Sequence, residues 1–205
     1  DIAYLTRNPI SSFRMPKPPQ SDDEIIVIPQ NEIAILLKAL ESKEKSCGGK
    51  WAAYSEFMLQ TAMRTGEVRA MKWADISDNK VLVHSNYTLT HGLKNSTKTN
   101  KKRTVPLNSR CQEILDKLSN NNNEFVFPYN RYAFQSYFYD RAKEIFTDNL
   151  TTHRYRPYDL RHTAISRWLE SDIPVAQAAK WAGNSSEVIW KHYVNVTKEY
   201  EMPLL

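Results

Sequence analysis

The stretch Tyr158-Asp-Leu-Arg-His-Thr163 decides how this chain folds, and Gly183-Asn184 and Tyr193 follow it towards the carboxyl end. Pro157 stops the preceding segment and Asp159 is placed to cap a helix, so the spacing predicts a helix that starts here. The arginine of this stretch then turns inward among apolar residues. A tyrosine held near a buried arginine and further polar donors is what an enzyme needs if a phenolate is to attack a phosphodiester. The stretch therefore points to a reaction as well as to a fold.

The composition is that of one globular domain with a mixed, slightly basic surface. At 205 residues and 41% apolar content, the chain can bury one core, or one domain with a tail. Its 28 basic and 23 acidic residues give a net charge of +5, which is compatible with a polyanionic partner. Charge alone does not identify that partner as nucleic acid.

The cysteines and the apolar runs indicate where such a protein works. Cys47 and Cys111 have neither metal-site spacing nor the context of a disulfide scaffold, which indicates a reducing compartment. No stretch reaches the roughly 18 to 20 apolar residues of a membrane span, and the start lacks a signal peptide. We therefore expect a soluble, cytoplasmic protein with no membrane partner.

The pattern along the chain predicts a mainly α-helical α+β domain with one small antiparallel sheet. Residues 1–29 contain five prolines and little periodicity, so they are interpreted as a linker outside the core. Apolar spacing predicts helices that start near Gln30 and Trp51, the second broken by Thr65-Gly66. Later elements are predicted as a strand at 81–83, a hairpin with a basic tip at 87–107, and helices at 110–118, 132–146, about 159–171, 174–182 and 185–195.

Several polar residues could carry chemistry, and each has an ordinary structural alternative. Arg64 and Glu67 could form only a local surface ion pair, or Arg64 could join Arg161 in binding one phosphate bidentately. Lys98 sits in a basic run that could bind phosphates nonspecifically, or it could protonate a leaving sugar oxygen. Lys94, Lys101 and Lys102 compete for that second role.

The two candidates near the carboxyl end also leave alternatives open. Asn184 stands three residues before Glu187, which is the spacing of a helix cap. Tyr193 is flanked by Trp190 and Val194, as a buried packing tyrosine would be, and it is one of 11 tyrosines. Neither residue suggests catalysis on its own.

Three motifs in order give these candidates a common meaning. They are Ala62-Met-Arg-Thr-Gly-Glu-Val-Arg-Ala-Met-Lys-Trp-Ala-Asp-Ile76, Ser96-Thr-Lys-Thr99 with Arg103-Thr-Val-Pro106, and the stretch at 158–163. From about Gln30 to Val196 the chain resembles the catalytic domain of the tyrosine recombinases, the phage integrase family. The resemblance implies this family's mainly helical fold with a small antiparallel sheet.

The resemblance also implies a role for each matching residue. Arg64 and Arg161 would clamp the scissile phosphate, Lys98 would be the general acid, and Tyr193 would form a 3′-phosphotyrosyl bond. His162 would support the site or transfer a proton, and Glu67 would buttress it. Two catalytic positions depart from the family pattern, since Tyr158 stands in place of histidine and Asn184 in place of histidine or tryptophan. Tyr158 could still donate a hydrogen bond to the phosphate or relay a proton, and Asn184 could donate through its amide but cannot ionise. The DNA-contacting residues expected from the hairpin are Lys94, Lys101, Lys102 and Arg103.

The resemblance further implies partners and a domain plan. We expect double-stranded DNA as the substrate, self-association into a tetramer on DNA, and no cofactor, neither metal nor ATP. Residues 1–29 would link to a missing N-terminal DNA-binding domain, residues 30–196 would be the catalytic domain, and the tail at 197–205 would dock on a neighbouring subunit. The alternatives are a type IB topoisomerase, a DNA-binding relative that has lost its chemistry, and a helical interaction module unrelated to DNA.

Overall fold

The computed structural model describes residues 25–42, 50–88, 90–96, 101–119, 122–146 and 155–193. Within these ranges the chain forms eight α-helices, a short 3₁₀ helix at Trp73–Asp75 and two small antiparallel sheets. The helices are α1 (Gln30–Ser42), α2 (Trp51–Thr61), α3 (Thr65–Ala70), α4 (Ser109–Leu118), α5 (Arg131–Ile145), α6 (Pro157–Glu170), α7 (Val175–Ala182) and α8 (Ser186–Tyr193). The strands are β1 (Ile76–Ser77), β2 (Lys80–Val83), β3 (Asn86–Thr88), β4 (Gly92–Lys94) and β5 (Arg103–Pro106). The predicted fold class is confirmed.

Two hydrophobic clusters hold these elements together. In the larger one, α2 packs against α1, α4 and α6, and its Tyr54 and Phe57 contact the ring of Phe127. The smaller one joins α6, α7 and α8 through small and apolar side chains, and it includes Ala62 from the loop after α2. The loop that follows α2 is therefore fixed between the two clusters.

The strands pair differently from the single hairpin predicted at 87–107. β3 pairs with β4, whereas β5 pairs with β2, which makes a three-stranded sheet in the order β1-β2-β5. The buried Val105 of β5 lies opposite the buried Val81 of β2. Both strands alternate buried and exposed residues, so pairing them puts both apolar faces on the core. The prediction of one hairpin was therefore wrong.

The break after α2 also lies earlier than predicted. Helix α2 ends at Thr61, Ala62 takes a left-handed conformation with φ of 50°, and Thr65-Gly66 instead begins α3. The Glu67 carboxylate accepts from the backbone N–H of Arg64 at 2.9 Å and so caps the start of α3. Gly66 is needed for close contact with β3, because an added Cβ would lie 2.7 Å from the Tyr87 carbonyl oxygen.

The domain begins before the predicted boundary at Gln30. Ile28 is fully buried in the larger cluster, and its backbone N–H donates to Thr163 Oγ1 at 2.9 Å. The linker interpretation is therefore wrong for Ile28, which belongs to the core. The other predicted linker residues at 1–24, Cys47 and the tail at 197–205 lie outside the described residues. Among the helices that the structure describes, none is long and apolar enough to cross a membrane.

Candidate active site

Arg161 is the buried centre of the candidate site. Helix α6 starts at Pro157, two residues before the predicted start near 159, and the Asp159 carboxylate caps it by accepting from the backbone N–H of Arg156 at 2.7 Å. Arg161 lies within the first turn and a half of this helix, and its side chain is already 0% exposed there. Burial, followed by the charge of Arg64, lowers the pKa of Arg161 to about 10, which leaves it charged at neutral pH.

Backbone carbonyls hold the Arg161 guanidinium in place. Nη1 donates to the carbonyl oxygen of Ala62, in the loop after α2, and Nη2 donates to that of Ala182 at 2.8 Å. Nη2 also donates to Asn184 Oδ1 at 3.0 Å. The arginine therefore joins the loop after α2 to the α7–α8 connection.

Arg64 meets Arg161 at the same oxygen atom. Its Nη2 donates to Asn184 Oδ1 at 3.0 Å and to the Gly183 carbonyl at 3.2 Å, and its Nη1 donates to Glu67 Oε1 at 3.0 Å. The Arg64 side chain is 17% exposed, so solvent reaches the convergence point from its side. We call Arg64 and Arg161 the arginine pair.

Asn184 serves this pair rather than capping the next helix. Helix α8 starts at Ser186, and Ser185 Oγ accepts from the backbone N–H of Val188 at 3.3 Å. Ser185 therefore takes the capping role that the spacing assigned to Asn184. An amide oxygen has two lone pairs and can accept from both guanidiniums at once.

Glu67 is a buried carboxylate shared by two arginines. It is 2% exposed and accepts from Arg103 Nη1 at 3.0 Å and Arg103 Nη2 at 2.6 Å, besides its contacts with Arg64. Burial opposes ionisation of Glu67, but the hydrogen bonds and charge of Arg103 and the charge of Arg64 outweigh it, and the pKa lies below its ordinary value. The ionised carboxylate therefore links Arg64 to Arg103.

Arg103 corrects one expectation from the sequence. We expected it to contact DNA beside the hairpin lysines, but its side chain is only 7% exposed, and its guanidinium contacts Glu67 and the Trp181 carbonyl. The strand pattern contained the signal, because Arg103 and the buried Val105 are two residues apart and so share one face of β5.

Tyr193 lies beside His162, the residue after Arg161. Tyr193 Oη and His162 Nδ1 are 2.7 Å apart, and the Tyr158 ring contacts the His162 ring edge-on with centroids 4.8 Å apart. Tyr193 is 3% exposed and packs in the smaller cluster, whereas Tyr158 is 42% exposed. Packing and chemistry are thus compatible at Tyr193.

Burial controls the protonation of this pair. It lowers the pKa of His162 to about 4, with the charge of Arg161 acting in the same direction. Burial raises the pKa of Tyr193 above its ordinary 10, although the charges of Arg161 and Arg64 act against that rise. At neutral pH the site therefore holds a neutral imidazole in hydrogen-bond contact with a protonated phenol.

Comparison with known proteins identifies the fold and the family. The profile of the Phage integrase family matches residues 27–200. The chain belongs to this family. The match starts at Val27, next to the buried Ile28.

Two curated relatives are recombination proteins by name. The prophage ps2 probable integrase of Lactococcus lactis subsp. lactis (strain IL1403) is 26% identical over 243 aligned positions, which cover 100% of this integrase-family chain and 62% of the relative. The shufflon-specific DNA recombinase of Escherichia coli is 32% identical over 141 positions, covering 67% of this chain and 33% of the relative. The chain thus spans less than two thirds of either relative.

Solved structures of integrases share the fold. The Tn1549 transposon integrase in complex with a circular intermediate DNA aligns with a TM-score of 0.69 at 12% identity, over 84% of this chain and 62% of that one. The lambda integrase catalytic core aligns with a TM-score of 0.60 at 22% identity, over 77% of this chain and 90% of that one. These similarities establish the tyrosine recombinase catalytic fold.

The remaining predicted residues of this integrase-family domain divide by position. Lys98 lies outside the described residues. Lys94, Lys101 and Lys102 are exposed, as DNA-contacting residues must be. Within the described ranges, no group of three or more histidine, cysteine, aspartate or glutamate side chains is arranged to hold a metal ion.

The structure also argues against one of the alternatives raised by the sequence. A helical module unrelated to DNA predicts that Arg64, Arg161 and Tyr193 are dispersed. Instead, the arginine pair shares one acceptor atom, and Tyr193 contacts the histidine next to Arg161. The carbonyls of Ala62 and Ala182, which hold Arg161, have no side-chain signature that sequence reasoning could have used.

Proposed function

We propose that this chain is the catalytic domain of a site-specific DNA recombinase that cuts and rejoins double-stranded DNA through a 3′-phosphotyrosyl intermediate. One observation carries the proposal. Both guanidiniums of the arginine pair donate to Asn184 Oδ1, and the Tyr193 hydroxyl contacts His162, which follows Arg161 in the first turns of α6. Family membership and the names of the two relatives support DNA recombination as the context.

The convergence point is suited to a phosphate oxygen. When the scissile phosphate binds, one of its oxygens takes the place of Asn184 Oδ1 between the two arginines. The pair then stabilises the charge that grows on the five-coordinate transition state, and charge-assisted hydrogen bonds are the strongest available for that purpose. The displaced Asn184 amide can turn its NH₂ group towards the phosphate, since it carries donors as well as an acceptor.

Tyr193 then acts as the nucleophile. Its Oη attacks phosphorus, His162 Nδ1 takes the phenolic proton, and the bond from phosphorus to the 5′ oxygen breaks. We assign the protonation of that leaving oxygen to Lys98. In the second step a DNA 5′-hydroxyl attacks the phosphotyrosine and restores the free Tyr193. The phosphotyrosyl bond conserves the energy of the broken phosphodiester bond, so the exchange needs no ATP.

Covalent trapping on a nicked suicide substrate tests this assignment. The Tyr193→Phe variant should form no protein–DNA adduct while its affinity for duplex DNA stays near that of the wild type. Tyr158→Phe is the matched control, because Tyr158 is the other tyrosine at the site and is far more exposed. Undiminished trapping by Tyr193→Phe, or its loss only in Tyr158→Phe, would refute Tyr193 as the nucleophile.

The same assay separates the remaining alternatives. A DNA-binding relative without chemistry predicts no adduct with the wild-type chain. A type IB topoisomerase predicts an adduct and relaxation of supercoils within one duplex, whereas a recombinase joins strands from two sites. Self-association on DNA, as a tetramer, is part of the proposed function and is measured by sedimentation of the full-length protein on its duplex.

A further inference from the structure

Arg103 is a nearly buried arginine that contacts two separate parts of the candidate site, Glu67 and the turn after α7. It begins β5, and its side chain is 7% exposed. Its two Nη atoms donate to the Glu67 carboxylate, and its Nε donates to the Trp181 carbonyl at 2.8 Å.

We infer that Arg103 is a positioning residue that fixes both sides of the point where the arginine pair converges. The inference rests on the proposed function, in which that point receives the scissile phosphate. Arg103 acts through two separate routes, one leading to Arg64 and the other to the turn that carries Asn184.

The first route runs through Glu67. Its Oε1 accepts from Arg103 Nη1 and from Arg64 Nη1, each at 3.0 Å. Arg103 donates to both carboxylate oxygens and so supplies most of the stabilisation of this buried charge. Without Arg103, the carboxylate keeps only Arg64 as its cationic partner. It would then draw the Arg64 guanidinium away from Asn184 and from an incoming phosphate.

The second route runs through the turn after α7. Arg103 Nε holds the Trp181 carbonyl, and Gly183 packs on the guanidinium itself. A Cβ on Gly183 would lie 2.9 Å from Arg103 Nη1, closer than real contacts allow. The Gly183 carbonyl and the Asn184 side chain in turn accept from Arg64. Arg103 therefore fixes the turn that carries both of these Arg64 acceptors, the Gly183 carbonyl and the Asn184 side chain.

Direct contact with DNA is the competing role, and it makes a different prediction. A residue that binds a phosphate contributes to DNA affinity, and its loss lowers the salt dependence of binding. A residue that only positions Arg64 and Asn184 contributes to the rate after DNA is bound. The two roles are therefore separated by measuring the affinity and the rate of adduct formation at saturating DNA.

The experiment uses Arg103→Met, Arg103→Lys, Glu67→Gln and the double variant Glu67→Gln/Arg103→Met. Arg103→Met should slow Tyr193 adduct formation about 10- to 100-fold at saturating DNA, as misplacement of catalytic groups does, with little change in affinity. Arg103→Lys should lose less, because it keeps the charge but not the fork. The double variant should be faster than Arg103→Met, because an amide no longer competes for Arg64.

Arg110→Met is the matched control. Arg110 also pairs with two carboxylates, those of Glu56 and Glu113, but it lies on α4 at the surface. Its adduct rate should equal that of the wild type. Three outcomes overturn the inference: an undiminished rate in Arg103→Met, a loss confined to affinity, or a double variant no faster than Arg103→Met. If Arg103→Met does not fold, Arg103→Lys and the double variant are compared on the same terms.

A second measurement separates this inference from the proposed function. In the DNA-free protein, the side-chain N–H resonance of Arg64 should shift and exchange faster with water in Arg103→Met, and recover in part in the double variant. An absent adduct in the wild type would refute the proposed function, while the Arg64 resonance would still decide the role of Arg103. An Arg64 resonance unchanged by Arg103→Met overturns the positioning role.

Discussion

His162 should make the protein sensitive to acid in a range where carboxylates alone would not. Its imidazole contacts Tyr193 Oη at 2.7 Å, and burial together with Arg161 lowers its pKa from 6.5 to about 4. Above pH 6.5 the group is neutral in both the folded and the unfolded chain. Between about pH 6.5 and pH 4 the unfolded chain takes up a proton that the folded chain does not, so acid favours unfolding.

The size of the effect follows from the two pKa values. Going from 6.5 to about 4 on folding, the linkage relation gives a loss of about 2.5 kcal/mol in the free energy of unfolding between about pH 7 and about pH 4.5. The side chain is only partly buried, so we expect a loss between about 1.5 kcal/mol, if solvent screening weakens the effect, and the full value of about 2.5 kcal/mol. The replacement His162→Gln keeps a polar group for Tyr193 and removes the titration.

Urea unfolding of the wild type and His162→Gln at both pH values measures this loss. The two proteins should differ in their acid-induced destabilisation by about 1.5 to 2.5 kcal/mol, since other titrating groups contribute equally to both. His91→Gln, a replacement at an exposed histidine, should follow the wild type. If the wild type and His162→Gln lose stability in parallel, then burial and the charge of Arg161 do not hold the pKa of His162 below its ordinary value.

Three further predictions test the geometry around this site. Asn184→Asp should raise the melting temperature, because a carboxylate between the arginine pair gains charge-assisted hydrogen bonds. The same carboxylate should slow adduct formation about tenfold or more by competing with the phosphate, and an unchanged trapping rate would contradict this. Gly183→Ala, at φ of +70° against the Arg103 guanidinium, should lower the free energy of unfolding in urea by about 1 to 3 kcal/mol. Gly92→Ala, at φ of +63° with no atom within 4 Å, should lower it by about 1 kcal/mol or less, and equal losses would exclude a contribution from the contact with Arg103. Ile28→Ala should cost about 2 to 5 kcal/mol and Ile35→Ala, 48% exposed, about 0.5 kcal/mol or less; similar values would return Ile28 to the linker.

The spacing of apolar residues was sufficient to predict the helices, because each helix buries one face. In α1, Ile33, Leu36 and Leu40 are spaced three and four residues apart and are all buried, so the apolar pattern and the structure coincide. Arg161 was predicted to point inward for the same reason, since its helix is apolar on that side. The distribution of apolar residues within a segment thus identified the helices and, in α6, the inward direction of Arg161.

Contacts between distant segments were beyond such reasoning. The β5 strand could have paired with either neighbour, and only packing of Val105 on the core selects β2. Asn184 and Ser185 both had a capping side chain, and the choice between them depends on an arginine 120 residues away. Arg103 was predicted to contact DNA like the lysines before it because of its charge, although it lies on the buried face of β5. In each case a partner remote in sequence decides.

In the proposed mechanism, which has Tyr158 rather than a histidine beside His162, we assign the proton transfer to His162 and expect it to depend on the bound substrate. In the DNA-free site the imidazole is a weak base, since its pKa is about 4 and that of the Tyr193 phenol lies above 10. The charge of Arg161 contributes to the low value. A phosphate bound to the arginine pair would cancel part of that charge and raise the pKa of His162, which strengthens the base only when a scissile phosphate is present. Repeating the His162 titration with duplex DNA bound to Tyr193→Phe measures this rise, and a value still near 4 would show that the tyrosine proton leaves by another route.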